Sequence, residues 1–195
     1  MNVVCLVAHP DDELMCAGTL ARFAAEGNRV RLFVLFTDER QDELEACAKT
    51  LGVELHVFAR DEARFGWCQE EVRWLEPQIG PCDLLISHRV QDNNSSHAPI
   101  GQIARTLARK NRMDLWELDQ CIPGGFDPDA RYPNHFVDIT VYAKTKWAAI
   151  DCYASQLERY PGLEGVLHAR DQLYGWQAFG PDAYAEGFRV VRSCQ

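Results

Sequence analysis

Short apolar runs alternate with amphipathic stretches along the first two thirds of the chain. The apolar runs are rich in Val, Leu, Ile and Phe, which predicts buried strands over 3–7, 30–36, 53–58, 83–87 and 114–118. Between them, apolar residues recur at helical spacing, which predicts helices over 13–25, 40–51, 69–79 and 97–108. Strands that alternate with helices are typical of βαβ units and a parallel sheet. We therefore predict a Rossmann-like α/β fold, a three-layer α/β/α arrangement around a mostly parallel central sheet.

The last third of the chain continues this pattern less regularly. It predicts a short strand over 136–139 and helices over 141–153 and 163–176, while the tail, 183–191, has no assignment. A Gly-, Pro- and Asp-rich loop over 121–133 is a candidate rim or lid. No linker-like stretch divides the sequence, so residues 1–195 are predicted to form a single domain.

Composition narrows the class of protein. The 195 residues are 47% hydrophobic and 25% charged, which is ordinary for a globular chain with a substantial core. A net charge of −9 disfavours a broad nucleic-acid surface, which depends on Lys and Arg. The eight cysteines form no CxxC pair, the first apolar run is too short for a signal peptide, and no run is long enough to span a membrane. We expect a reduced, cytoplasmic enzyme of undetermined oligomeric state.

The first predicted strand leads directly into the hexapeptide Ala8-His9-Pro10-Asp11-Asp12-Glu13. Ligands of open α/β sheets bind at the carboxyl ends of strands, and Pro10 biases His9 away from the helical region. His9 with carboxylates two and three residues later can supply metal ligands and a base from one turn. The simpler interpretation is that Asp11 or Asp12 caps the next helix. Because a cap needs one carboxylate and no His-Pro, we favour a functional site.

Two later polar stretches also follow predicted strands. In the stretch 87–97, His97 begins a helix from which it can point back into the crevice and supply a third ligand beside His9 and Asp12. Taken alone, His97 would more often be a surface residue, but with the opening motif we favour the ligand. His88 is expected only to orient this loop.

The second polar stretch contains Asp38 and Arg40, which follow the strand predicted over 30–36 and are expected to face the same crevice. Arg40 can hold an anionic or hydroxyl-rich substrate, or it can be a surface residue at a helix start. We also expect the loops 60–68 and 121–133 to determine which substrate binds.

The hexapeptide resembles the AHPDDE signature of the PIG-L/LmbE-like zinc N-deacetylases. Other segments resemble this family in the same order along the chain. They are Arg40 and Glu43 followed by Leu51-Gly52; Asp92 to His97, similar to D-x-N-x-D-H; 133–139; Lys146 to Gln156; and 185–189, similar to AExF(R). Together these segments cover most of the sequence.

The resemblance implies a site. His9, Asp12 and His97 would bind Zn²⁺ or another divalent metal such as Fe²⁺, and Asp11 would be the general base. The family usually has Asp directly before the third ligand, where this chain has Ser96. Many members have a His three residues before that ligand, where this chain has Asn94. Asn94, with Asp38 and Arg40, is a substrate-binding candidate. In place of the family's acid, His135 is our candidate to protonate the leaving amine.

The expected activity is removal of the acetyl group from an N-acetylglucosamine-type amino sugar, giving acetate and a free amine. One alternative is a metal-dependent amidase or esterase that acts on a non-sugar N-acyl substrate. A second alternative is a degenerate homologue that binds a sugar without hydrolysing it. A dinucleotide-binding protein is disfavoured because the first strand–helix turn lacks GxGxxG.

Overall fold

The computed structural model describes residues 1–37, 39–119 and 133–192, and these ranges form seven strands and seven α-helices. The strands are β1 (Asn2–Val7), β2 (Arg29–Val34), β3 (Glu54–Val57), β4 (Leu84–Ser87), β5 (Asp114–Leu118), β6 (His135–Asp138) and β7 (Ala185–Arg192). The helices are α1 (Ala17–Ala25), α2 (Gln41–Leu51), α3 (Gln69–Ile79), α4 (His97–Asn111), α5 (Ala143–Asp151), α6 (Ala154–Arg159) and α7 (Leu163–Ala178).

All seven strands belong to one sheet, in the order β3-β2-β1-β4-β5-β7-β6. β1 to β5 pair in parallel, and β7 pairs antiparallel with both of its neighbours. The strand order reverses between β1 and β4, and this switch point is where open α/β sheets bind ligands. The predicted α/β class with a mostly parallel sheet is confirmed. The assignment of residues 1–195 to one domain stays a prediction.

The central strand β1 has a hydrophobic core on each of its faces. Val3, Cys5 and Val7 belong to one apolar cluster, with residues of α1, α2 and α5. Val4 and Leu6 belong to a second cluster on the opposite face, with residues of α3 and α4. Because successive strand residues point to opposite faces, a strand between two cores must be apolar throughout. This arrangement confirms the predicted three layers.

The predictions were wrong in detail where tertiary contacts override the local pattern. The helix predicted over 13–25 is divided into a 3-10 helix, Asp12–Met15, and α1, which are separated by Cys16. The Arg170 guanidinium donates a hydrogen bond to the Met15 carbonyl at 3.1 Å, although the two residues lie far apart in the sequence. The helix predicted over 141–153 is likewise divided, into a 3-10 turn and α5. The sequence pattern did not predict α6 or the long strand β7.

Two further expectations concern the state of the cysteines and the presence of membrane-spanning helices. The six described cysteines, which exclude Cys121 and Cys194, are free thiols. None of the helices in the described ranges is long and apolar enough to cross a membrane.

Candidate active site

Three predicted ligands meet at the switch point between β1 and β4. His9 follows β1, Asp12 begins the 3-10 helix, and His97 is the first residue of α4. His9 Nδ1 lies 3.5 Å from Asp12 Oδ2, and His97 Nε2 lies 3.3 Å from Asp12 Oδ1. One potential ligand atom from each residue lies within 4.8 Å of the other two. The structure thus brings His9, Asp12 and His97 together, while their roles stay predictions.

Asp12 is buried at the centre of this cluster. Its Oδ2 accepts the backbone N–H of His9 at 2.8 Å and lies 3.4 Å from His88 Nε2. Burial disfavours a charged carboxylate, but His88, His9 and His97 outweigh that effect and hold the pKa of Asp12 well below its ordinary value. Asp12 is therefore an anion surrounded by imidazoles, which is a suitable environment for a metal ligand.

His88 has a larger part in the site than the sequence predicted. The side chain is fully buried, the Nε2 atom accepts the backbone N–H of Ala8 at 2.9 Å, and the ring stacks on His97 at 4.0 Å. Burial lowers the pKa of His88, although the Asp12 carboxylate opposes this effect. The available signal was its position directly after β4, at the sheet edge where ligands bind.

Asp11 sits beside the ligands in an unusual backbone conformation. Its φ of 101° lies in the left-handed region, which non-glycine residues rarely adopt. The backbone N–H of Asp11 donates to Glu13 Oε2 at 3.1 Å, and Oδ2 accepts from Arg40 at 2.7 Å. Burial and the charge of Asp12 raise the pKa of Asp11 to about 8, although Arg40 opposes the rise. Such strain persists only where surrounding contacts hold it, and it is concentrated at functional sites.

Glu13 lies beneath Asp11 and is fully buried. Tyr153, at the end of the segment that carries α5, donates its hydroxyl hydrogen bond to Glu13 Oε1. Burial raises the pKa of Glu13, although this hydrogen bond favours the carboxylate. Glu13 thus connects the backbone of Asp11 to the helical layer behind it.

The predicted substrate-binding residues differ in how they lie relative to the cluster. Arg40 reaches the site through its ion pair with Asp11. Asn94 is exposed in the turn before α4, where its Oδ1 accepts the backbone N–H of Ser96 at 2.8 Å. Asp38 lies outside the described residues, as does nearly all of the loop predicted over 121–133. The substrate-binding roles of Asp38, Arg40 and Asn94 stay predictions.

The structure does not bring His135 to the cluster. Its ring packs on Trp116 at 4.4 Å, and burial lowers its pKa. β6 lies four strands from β1, which is about 19 Å along the sheet at about 4.8 Å per strand. The role of His135 as the general acid stays a prediction.

Two carboxylates to which the sequence assigned no role contact the candidate ligands. Glu62 Oε1 lies 2.8 Å from His9 Nε2, and it also accepts a hydrogen bond from the Ser96 hydroxyl. Asp92 Oδ2 lies 3.2 Å from His97 Nδ1. Glu62 lies in the loop 60–68 and Asp92 lies in the polar stretch 87–97. The sequence indicated that both regions belong to the site, but it did not predict these two contacts.

The donor set suits a catalytic divalent metal. Two imidazoles and one carboxylate are ligands that Zn²⁺ takes in catalytic sites, where a fourth position is left for water or substrate. A second group with suitable spacing, His88, Asp92 and His97, shares His97 with the first. Because His88 Nε2 already accepts a backbone hydrogen bond, the group of His9, Asp12 and His97 is the better candidate.

Comparison with protein families agrees with this geometry. Residues 4–113 match the family model PIG-L, described as GlcNAc-PI de-N-acetylase, and the match spans more than half of the chain. The chain belongs to the PIG-L family. This result confirms the resemblance first seen in the hexapeptide, and the matched range contains His9, Asp11, Asp12 and His97.

Solved structures share the fold of this PIG-L protein at low sequence identity. The conserved protein TT1542 from Thermus thermophilus is 20% identical with a TM-score of 0.80, covering 98% of this chain and 95% of its own. GalB, the 4-carboxy-2-hydroxymuconate hydratase from Pseudomonas putida, is 20% identical with a TM-score of 0.78, covering 99% and 97%. The N,N'-diacetylchitobiose deacetylase from Pyrococcus horikoshii is 18% identical with a TM-score of 0.68, covering 97% and 83%. At such identity the likeness shows the fold alone.

Proposed function

We propose that this PIG-L protein is a metal-dependent N-deacetylase that hydrolyses an N-acetylated amino sugar to acetate and a free amine. The observation that carries the proposal is the meeting of His9, Asp12 and His97 at the switch point, with Asp11 beside them. The family match supports the reaction class, and the chitobiose deacetylase supports an amino sugar as the substrate.

His9, Asp12 and His97 would hold the metal, for which we propose Zn²⁺. When bound there, Zn²⁺ polarises an amide carbonyl and lowers the pKa of a water toward about 7. Glu62 contacts Nε2 of His9, and Asp92 contacts Nδ1 of His97. The other nitrogen of each ring faces Asp12 and is left for the metal.

Asp11 would act as the general base. Its carboxylate takes a proton from the attacking water, whose oxygen then bonds to the amide carbon, and the C–N bond breaks as the nitrogen gains a proton. Arg40 and the backbone contact to Glu13 hold the Asp11 carboxylate in place. His135 was predicted as the donor to the leaving amine; it lies on β6, four strands from β1, and its role stays a prediction.

Substrate hydroxyls or a phosphate would be held at the rim of the crevice. Arg40 is mostly buried and already reaches the site, which supports its predicted contact with substrate. Asn94 lies in the turn that leads to His97. The substrate-binding role of Asp38 rests on the sequence prediction alone.

Acetate release from metal-loaded protein tests this proposal. Substrates would be N-acetylated amino sugars and nucleotide sugars, with non-sugar N-acetyl amines in parallel and the Asp11→Asn protein as the control. We expect acetate from at least one amino sugar and almost none with the control. Release only from non-sugar amines would contradict the substrate class.

Two further outcomes would contradict the reaction itself. Sugar binding without acetate release would indicate a degenerate homologue. Because GalB shares the fold, the tricarboxylate 4-carboxy-2-hydroxymuconate should also be tested, and its hydration without any deacetylation would indicate a hydratase.

A further inference from the structure

The loop that carries Glu62 contacts the candidate metal site from the solvent side. We infer that Glu62 is a positioning residue that holds the His9 imidazole in the orientation and tautomer needed to bind the metal. This inference rests on the metal site of the proposed function and adds a residue from a segment remote in sequence. Glu62 belongs to a short 3-10 turn, Glu62–Arg64, between β3 and α3.

The two nitrogens of His9 face different carboxylates. Nε2 lies 2.8 Å from Glu62 Oε1, whereas Nδ1 lies 3.5 Å from Asp12 Oδ2. A hydrogen bond donated by Nε2–H to Glu62 keeps the proton on the outer nitrogen. The lone pair of Nδ1 is then directed toward Asp12, where the metal would bind.

The other candidate histidine ligand has the same arrangement. His97 Nδ1 lies 3.2 Å from Asp92 Oδ2, and His97 Nε2 faces Asp12 at 3.3 Å. Each imidazole therefore has one nitrogen toward the metal position and the other toward a separate carboxylate. Metal-binding histidines in proteins commonly have this arrangement, and loss of the outer partner typically weakens metal binding or activity about 10–100-fold.

Packing keeps the Glu62 loop over His9. Phe65, just after the 3-10 turn, packs edge-on against Phe36 at 5.2 Å, and Phe36 lies 5.5 Å from the His9 ring. Before the turn, Arg60 lies over the ring of Trp74 at 4.5 Å. These contacts place the Glu62 carboxylate at the mouth of the site although its side chain is 47% exposed.

Ser96 supplies the remaining contact to Glu62. Its hydroxyl donates a hydrogen bond to Glu62 Oε1, the same oxygen that faces His9. Ser96 directly precedes His97, the first residue of α4. Ser96 thus connects the Glu62 loop to the N-terminus of α4 and to His97.

Metal affinity measured by competition with a coloured chelator tests this inference. We expect Glu62→Ala to raise the Zn²⁺ dissociation constant about 10–100-fold. Glu62→Gln should restore much of the affinity, because its amide oxygen still accepts from His9 Nε2–H. Arg64→Ala is the matched control from the same turn, since its side chain is 87% exposed and pairs only with Asp61 among the described residues; its affinity should be unchanged.

The visible spectrum of the Co²⁺-loaded proteins separates a positioning role from direct ligation. A positioning residue leaves the ligand set intact, so Glu62→Gln should keep the band positions and intensities of the wild-type protein. A spectrum altered by this substitution would make Glu62 a direct ligand and overturn the inference. Wild-type Zn²⁺ affinity in Glu62→Ala would also overturn it.

The inference and the proposed function can fail separately. Metal affinity and the Co²⁺ spectrum are measured without substrate, so an absence of acetate release leaves both results interpretable. Active deacetylation together with unchanged metal affinity in Glu62→Ala would remove the role of Glu62 and leave the function standing.

Discussion

Asp11 and Asp12 are neighbours in the chain, yet their surroundings give them opposite acid–base properties. Asp12 is enclosed by imidazoles, which hold its pKa low, whereas Asp11 is buried next to that same carboxylate and has a raised pKa. Adjacent groups whose pKa values are separated by their environment commonly have different chemical roles. At the residue scale, this contrast supports Asp12 as a ligand and Asp11 as a base.

The Asp11→Asn substitution tests this division. Asn keeps the size of the side chain and tolerates a positive φ, but it cannot accept the proton. We expect full metal content and a kcat lowered by roughly 10²–10⁴-fold, the usual contribution of a general base. Metal per protein and acetate release should be measured on the same preparation. A fully active Asp11→Asn enzyme would exclude the base role.

The ligand assignment predicts that His9→Ala and His97→Ala lose Zn²⁺, because each leaves only two donors in the cluster. Metal content after dialysis is the measurement. His56→Gln is a suitable control, since His56 lies on the edge strand β3 and pairs with Glu54. Full metal stoichiometry in both alanine variants would refute the assignment.

At the scale of elements, the position of His97 depends on how closely α4 approaches the end of β4. Gly101, one turn into α4, allows this approach. A Cβ atom at Gly101 would lie 2.7 Å from the His88 carbonyl oxygen and 2.7 Å from the Arg89 carbonyl carbon. Because both neighbours are backbone atoms, any side chain here must move the helix or the strand end.

We therefore expect Gly101→Ala to destabilise the fold by roughly 1–3 kcal/mol through overpacking and to weaken metal binding by displacing His97. Gly165→Ala in α7 is the control, because a Cβ atom at Gly165 contacts nothing within 4 Å. That change should stabilise the protein by roughly 0.5–1 kcal/mol. Urea unfolding and Zn²⁺ titration of both variants test the prediction, and equal stability of the two would contradict it.

The sequence predicted the strands and helices that have a clear local hydrophobic pattern. It did not predict contacts between residues that lie far apart in the chain. β1 is apolar at every buried position, and the motif after it was readable as a site because strand ends bind ligands. Arg170 donates a hydrogen bond to Met15 beside the break at Cys16, and the contact of Glu62 with His9 spans 53 positions of the chain. No local pattern encodes these contacts. The burial of His88 was likewise invisible, since its position showed only that it follows a strand.

At the scale of the whole molecule, buried charges join the C-terminal segment to the helix behind the site. Lys146 Nζ lies 2.6 Å from Glu186 and 2.7 Å from Asp171, and all three side chains are fully buried. Glu186 also accepts the backbone N–H groups of Gly18 and Thr19 in the first turn of α1. A carboxylate at a helix N-terminus satisfies donors that would otherwise lack partners.

Replacing Lys146 with Met should cost about 3–5 kcal/mol of stability, because it removes the cation shared by two buried carboxylates, Glu186 and Asp171. Glu26→Gln removes an exposed pair with Arg22 and should change stability by about 0.5 kcal/mol or less. Denaturant unfolding compares the two variants. A loss below about 1 kcal/mol for Lys146→Met would mean that the cluster contributes little to stability.

The position of β7 has a consequence for the order of folding. β7 follows the other six described strands in the sequence, and it lies between β5 and β6. During synthesis β6 emerges first and cannot join the sheet until β7 has been made, and α1 lacks Glu186 until the same moment. The motif at residues 9–13 is therefore synthesised well before the strand that supports the helix behind it. We expect metal to bind after β7 has joined the sheet.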